Sequence, residues 1–334
     1  MPRPPTLLII SQTFVPDPAS VGQHMADVAI EMARRGHRVR VYASARGYEN
    51  PSIIYPKREN LHGVDIRRFG MASFGKKNIL LRVLGTASFM LQALWVCLTT
   101  RNLGGIFFST SPPLVGIVAV LAHWLRRVPI AYWAMDLNPD QLIAMGKLKA
   151  KSPIAWMLER ANRLILRNAA LVVALDRFMA DRLRARSPGL DRKMLVMPPW
   201  PHESHLESLA QADNPFRQEH APGDSFIIMY SGNHSPSHPL DTILEAALRL
   251  KDDARLKFFF IGGGLGKREV EAFSKTHGLS NVLSLPYQPL ADLRYSLSAA
   301  DVHIVAMGDN MVGIVHPCKI YGAMTVGRPI LFLG

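Results

Sequence analysis

Five stretches of this 334-residue chain carry side chains whose type and spacing could do chemistry. HPCKIYGAM (316–324) reads as a helix start, with Pro317 opening it and Cys318, Lys319 and Ile320 in its first turn. A cation in a first turn opposes the helix dipole, which is tolerable where Lys319 faces a phosphate; the alternative is a lysine reaching into solvent. GNHSPSHPLDTILEA (232–246) places Gly232 and Asn233 ahead of a helix start near Leu240, an arrangement that can receive an anion, with His234 and His238 either assisting or solvated. IGGGLGKREVEAF (261–273) sets glycines around Gly263 and Lys267 at the next helix start. It is not a P-loop, because Lys267 stands where the second glycine should be, and it is not a clean dinucleotide fingerprint. In SQTFVPDPASVGQHM (11–25), Gly22 either lets a phosphate approach the backbone or is a plain turn glycine. YWAMDLNPDQLIAMG (132–146) sets Asp136 just past a strand. With Asp140 it could form a catalytic acid pair, a metal site or a helix cap, and for Asp140 the cap is preferred.

The elements that must position these residues are short β-type runs alternating with helical patterns. Strands are predicted at 6–11, 38–43, 64–69, 105–109, 129–134, 170–175 and 193–197, then at 225–231, 256–262, 281–285, 301–306 and 328–334. Their apolar runs are nearly continuous, as in parallel strands buried on both faces. Between the two series lies PPWPHESHLESLAQADNP, which predicts a linker at 201–215 between an N-terminal domain, 1–200, and a C-terminal domain, 216–334. Two doubly wound α/β domains place ligands at the carboxyl ends of their strands, in a cleft between the domains. The chain stops on a strand, so the second domain is expected to be incomplete.

Composition narrows the classes. Hydrophobic residues make up 48% and charged residues 19%, which excludes a disordered chain. The formal charge of +13 suits an anionic partner: nucleic acid, acidic lipid or a phosphorylated small molecule. The basic residues are dispersed and no aromatic–basic recognition motif accompanies them, so nucleic acid is disfavoured. Cys97 and Cys318 form neither a CxxC pair nor part of a His cluster, which argues against structural zinc and a disulfide framework and fits a reducing compartment. No signal-peptide layout opens the chain, which reads as cytoplasmic. NILLRVLGTASFMLQALWVCLTTR (78–101) is apolar enough to suggest a bilayer span, but Arg82, Thr86, Ala93 and Thr100 fall on one narrow helical face. With Lys76 and Lys77 before it and Arg101 after it, a helix seated on anionic lipid is favoured over a core helix and over a true span.

Taken in order, QTFVPDPASVGQHMADVAIEMARRGHRVRVYA, STSPPLVGIVAVLAHWLRRVPIAYWAMDLNPDQLIAMG, IIMYSGNHSPSHPLDTILEAALRL and VGIVHPCKIYGAMTVGRPIL resemble the GT-B glycosyltransferases of family 4, in the branch of exopolysaccharide and O-antigen assembly. The resemblance covers nearly the whole chain. It implies two Rossmann-like domains facing a cleft, a nucleotide-diphosphate sugar held mainly by the C-terminal domain and an acceptor mainly on the N-terminal one. It also implies retention of the anomeric configuration and no bound metal or other cofactor. By position, it implies that Gly22 and Gln23 lie near the donor diphosphate, that Gly232, Asn233, His238, Gly263 and Lys267 serve phosphate binding, and that Tyr287 and Gln288 lie near the base. Asp136 matches the acidic position close to the reacting centre. Many family members carry two glutamates where this chain has Ile314 and Gly322, which leaves His316 and Lys319 to meet the donor.

The resemblance favours UDP over GDP as the nucleotide; basic charge and the 78–101 helix would bring the cytoplasmic enzyme peripherally to the inner face of the cell membrane, where a polyprenyl-diphosphate-linked or other glycan acceptor would be presented. Two other readings share the fold: a nucleotide-sugar epimerase, which needs no acceptor, and a non-catalytic nucleotide-sugar-binding scaffold.

Overall fold

The computed structural model describes residues 4–17, 19–47, 50–70, 79–201 and 208–334. They fall into two compact units, Met1–Pro199 and Trp200–Gly334. Of the expected linker 201–215, residues 202–207 lie outside the described residues.

The first unit runs β1 (Thr6–Ile10), α1 (Ser20–Arg34), β2 (Arg38–Ser44), β3 (Arg58–Leu61), β4 (Val64–Phe69), α2 (Ile79–Thr99), β5 (Leu103–Phe108), α3 (Val115–Arg126), β6 (Ile130–Ala134), α4 (Asp140–Ala144), α5 (Pro153–Asn168), β7 (Leu171–Ala174), α6 (Arg177–Arg186) and β8 (Met194–Val196). Its eight strands lie in the order β3-β4-β2-β1-β5-β6-β7-β8. All neighbours are parallel except β3 and β4. Those two form a hairpin about His62 and Gly63, whose φ values of 48° and 89° belong to the tight turns that match strand twist. The strand RENL in this hairpin has no apolar alternation and is absent from the sequence-based expectation.

The second unit runs α7 (Pro215–His220), β9 (Phe226–Ser231), α8 (Asp241–Arg249), β10 (Leu256–Ile261), α9 (Gly266–His277), β11 (Val282–Leu285), α10 (Leu293–Ser298), β12 (Val302–Ala306), α11 (Lys319–Thr325) and β13 (Ile330–Leu333). The sheet is parallel, in the order β11-β10-β9-β12-β13. The run Phe258-Phe259-Phe260-Ile261 shows why these strands are apolar without alternation. Phe258 and Phe260 enter one core with Tyr230 and Ile304, whereas Phe259 and Ile261 enter another with Ile227 and Met229. Successive side chains point to opposite faces, and helices cover both. Strand order reverses between β1 and β5 and between β9 and β12, so in each unit the loops at that point part to opposite sides and leave a crevice at the carboxyl edge.

Residues 211–217 are fastened to the start of the second sheet. The carboxylate of Asp301 accepts from Gln211 (2.6 Å), from Arg217 Nη1 (2.9 Å) and from the backbone N–H of Ile227 (2.7 Å). Arg217 also donates to the carbonyl of Ala299 (2.8 Å).

Of the narrow face read on α2, Ala93 and Thr100 are buried. The inward stripe is Gly85, Phe89, Ala93 and Cys97, one residue every four, and the outward side carries Leu84, Leu91 and Trp95. Small inward residues let the helix lie close to its neighbours, and Thr100 of the pattern turns inward with them. Lys76, Lys77 and the side chain of Arg82 lie outside the described residues. Among the described residues, no helix is long and apolar enough to cross a membrane.

Asp301→Ala leaves the largely buried Arg217 guanidinium without its carboxylate and the Ile227 amide without an acceptor. The expected loss is about 3–5 kcal/mol, the usual cost of breaking a buried pair. Urea denaturation with amide exchange in β9 measures it, and an unchanged β9 would contradict this role for Asp301.

Candidate functional site

In the second unit the loops at the carboxyl edge converge because glycine lets backbones touch. Gly232 and Gly262 have φ values of 132° and 135°, in the region that disfavours side chains. A Cβ on Gly262 would overlap the carbonyl oxygen of Gly232. A Cβ on Gly232 would come within 2.8 Å of Lys319 Cε, and one on Gly263 within 2.8 Å of the Tyr287 ring. The Asn233 side chain lies in the space a Cβ on Gly264 would need. His234 stitches the loops: its N–H donates to Gly263 O (2.7 Å), its carbonyl accepts from Gly266 N–H (2.9 Å), and its Nδ1 lies 3.1 Å from Gly263 O. It is wholly buried against Tyr230, not solvated. Burial lowers its pKa.

Lys319 is the cation these loops enclose. Its stem packs on Gly232 and its Nζ stands 5.3 Å from the centre of the Tyr230 ring. Removal from water brings its pKa down to about 8, so its charge is held in a setting that disfavours it. An anion would relieve that cost. The amides of Gly263 and Gly264 have no acceptor among the described residues and supply hydrogen-bond donors nearby. An ammonium with backbone N–H groups at a sheet edge can hold a diphosphate.

Several expected contributors stand differently. His238 is not a phosphate-binding cation: Nδ1 lies 2.7 Å from the carbonyl of Ala306, so Nδ1 carries the proton and Nε2 is left as an acceptor. Burial, with the neighbouring Lys319 charge, takes its pKa down to about 3. Lys267 lies at the loop, but its ammonium donates to the carbonyls of Gly262 (3.0 Å) and Leu285, where it ties the ends of β10 and β11 together. His316 Nε2 lies 2.8 Å from Tyr321 Oη, and the two rings stack. Gln288 turns to the carbonyl of Pro286 (3.0 Å). The helix α11 begins at Lys319 itself, with Cys318 before it, two residues later than Pro317 suggested. Ile314 is buried, and a Cβ on Gly322 would touch Leu297 Cδ1 at 3.4 Å.

In the first unit, Asp136 lies just beyond the carboxyl end of β6, half-buried, with no hydrogen bond or ion pair to its carboxyl among the described residues. Burial pushes its pKa up to about 6. A carboxylate so placed can accept a proton near neutrality. Asp140 caps no helix: it lies inside the first turn of α4 and pairs with Arg186 and, at 3.8 Å, with Arg182. Gly22 is fixed by the local backbone. Its N–H donates to Ala19 O (2.8 Å), and a Cβ there would meet Phe14 N at 2.9 Å, so the missing side chain admits the loop backbone. Gln23 follows it on α1, half-buried. Among the described residues, no three His, Cys, Asp or Glu side chains gather as a metal site.

Sequence reasoning missed Tyr230, whose ring supports Lys319. Its position in a continuous apolar strand hides it. It also undervalued His234, whose one signal is its place between two glycine-rich loops.

Residues 20–200 match the Glycosyl transferase 4-like domain family, and residues 211–332 match the family Glycosyl transferases group 1. WcaI of Escherichia coli K12, named for a glycosyl transferase of colanic acid biosynthesis, is 24% identical over 342 residues, covering 96% of this chain and 81% of that protein. WbjE of Pseudomonas aeruginosa, named as a glycosyltransferase, is 24% identical over 328 residues, covering 97% and 80%. Among solved structures, HepE of Anabaena in complex with UDP-glucose has the same fold, with a TM-score of 0.68 at 15% identity over 98% of this chain and 80% of that one.

Folding raises the pKa of Asp136 from 3.8 to about 6. The folded state therefore binds more protons than the unfolded one in that window. Stability falls as pH rises through it and stays lower above pH 6. Asp136→Asn is expected to stabilise the protein at pH 7 by roughly 2–3 kcal/mol and to make no difference at pH 3. Urea midpoints at the two pH values measure this. Equal stability at pH 7 would mean that the carboxylate is solvated.

Proposed function

This chain belongs to family 4 of the GT-B glycosyltransferases, and we propose that it transfers a sugar from a UDP-linked donor to a lipid-linked glycan acceptor, with retention, in the synthesis of a bacterial cell-surface polysaccharide. The observation that carries the donor side is Lys319, a cation enclosed by glycine loops with its pKa drawn down to about 8. The UDP-glucose held by HepE supports the choice of nucleotide. The name of WcaI, for colanic acid biosynthesis, supports the choice of pathway class.

In this reading the bond from the anomeric carbon to the donor diphosphate breaks, and the acceptor oxygen bonds to that carbon. Lys319 and the Gly263 and Gly264 amides meet the charge that builds on the leaving diphosphate. Tyr287, which covers Gly263 and is half exposed, offers its ring to the base. Asp136 takes the proton that the acceptor hydroxyl loses. These groups supply the required charge stabilisation without a metal, and attack from the face the diphosphate leaves gives retention without an enzyme nucleophile. The acceptor's lipid places the work at the inner face of the cell membrane.

Calorimetric titration with UDP and GDP, without and with Mg²⁺, tests the donor half. Selective, metal-independent binding of UDP is expected, and GDP preference would reassign the nucleotide. Because only the protonated ammonium attracts the diphosphate, UDP affinity should fall from pH 7 to 9 in the parent protein and stay level in Lys319→Arg. Lys319→Ala should slow turnover about 100-fold, close to 3 kcal/mol of barrier, with no loss of folded stability. Unchanged turnover would remove Lys319 from the site.

A further inference from the structure

Leu91 and Trp95 on α2, and Trp124 and Leu125 on α3, are 70%, 69%, 51% and 67% exposed. They belong to one surface. The helices pack side by side, and Arg126 near the end of α3 donates to the carbonyls of Cys97, Leu98 and Thr100 at the end of α2. That guanidinium locks the two ends together. Leu84 and Leu121, also exposed, extend the patch along the same two helices. Trp124 is held in place: its Nε1 donates to Asn168 Oδ1 at 2.8 Å, which leaves its ring to the outside. Large apolar side chains turned outward on a pair of helices reverse the pattern of an ordinary surface helix and mark a contact surface.

Charge says what the contact is. Between Asp65 and Asp136 the sequence has no Asp or Glu, yet it has eight Lys and Arg. Arg101, two residues past α2, and Arg127, the residue after α3, are both exposed at the ends of the helices that carry the apolar residues. No carboxylate pairs with either among the described residues. Indole rings prefer the boundary between hydrocarbon and water, and arginines at that level meet lipid phosphates. A second copy of the chain on this face would set Arg101 and Arg127 against their own like charges.

We propose that the α2–α3 face docks on an anionic lipid bilayer, with Trp95 and Trp124 seated at headgroup depth and Arg101 and Arg127 on lipid phosphates. This surface rests on the membrane-borne acceptor proposed above and identifies where the enzyme meets that membrane.

The test is flotation of the full chain with phosphatidylcholine vesicles, with and without phosphatidylglycerol, together with tryptophan fluorescence. The parent protein is expected to float only with the anionic vesicles, with a blue-shifted emission, and to come off at high salt. The double variant Leu91→Gln/Trp95→Gln should bind about tenfold more weakly or worse. Arg101→Glu/Arg127→Glu should do the same. Ile54→Gln, at an exposed apolar residue on neither helix, bridged to Arg46 in the β2–β3 connection, should float like the parent. Failure of the parent to float, or undiminished binding by either double variant, overturns the proposal. So does a lipid-free dimer that Leu91→Gln/Trp95→Gln dissolves, since the face would then join two copies. UDP titration of the same preparations separates the two readings. UDP binding without vesicle binding defeats the surface alone, and vesicle binding without UDP binding defeats the donor assignment alone.

Discussion

Gly262 has no room for a side chain because the carbonyl of Gly232 occupies it, and the arrangement of the second unit's loops depends on this approach of one backbone to another. With β9 and β10 paired in parallel to their last residues, the chain leaves both strands at the same level. Backbones that close can turn apart only if neither carries a Cβ, hence positive φ at both glycines. The contact brings Asn233, His234 and the Gly263–Gly264 amides beside one another, and it clears the strip along which the Lys319 stem lies. The site's geometry is therefore set by side chains that are missing.

Two charges of opposite sign are kept in surroundings that oppose them. Asp136 holds its proton too tightly for a carboxyl and Lys319 too loosely for an amine, in both cases through loss of water rather than through a partner. Each lowers the stability of the fold at neutral pH. Ordinary surface charges in this protein behave otherwise: Glu31 is drawn to about 2 by hydrogen bonds from Arg34 and Arg35. A charge left without compensation by the fold is one that a ligand can compensate, and this separates the two residues from the many paired arginines around them.

The buried strands were legible in the sequence because burial on both faces leaves continuous apolar runs such as KFFFIG and ALVVAL, bounded by glycine or polar turns. RENL was not, since an edge strand paired on one side needs little apolar character. The glycine-rich loops were visible, but their partners were not. Lys267 and Lys319 both precede or open helices, and only tertiary structure shows that one binds carbonyls while the other, half-buried, has no acceptor among the described residues. His238 and His234 looked alike as loop histidines, and their tautomers and burial depend on residues some 30 to 70 positions away. For α2, periodicity located a distinct face but not its direction, because a stripe of small residues can face a neighbouring helix as well as solvent.

The hold of Asp301 on Arg217 spans 84 residues. During synthesis on the ribosome, Arg217 and the N–H of Ile227 emerge long before the carboxylate that satisfies them. At about 5–20 residues per second the wait is roughly 4 to 17 s. Once β10 has emerged, the start of β9 has β10 on one side and still no β12 on the other, so its unpaired edge is open to any passing strand. The nascent second unit thus has a period in which a chaperone would find a ready client, ending when residue 301 leaves the exit tunnel.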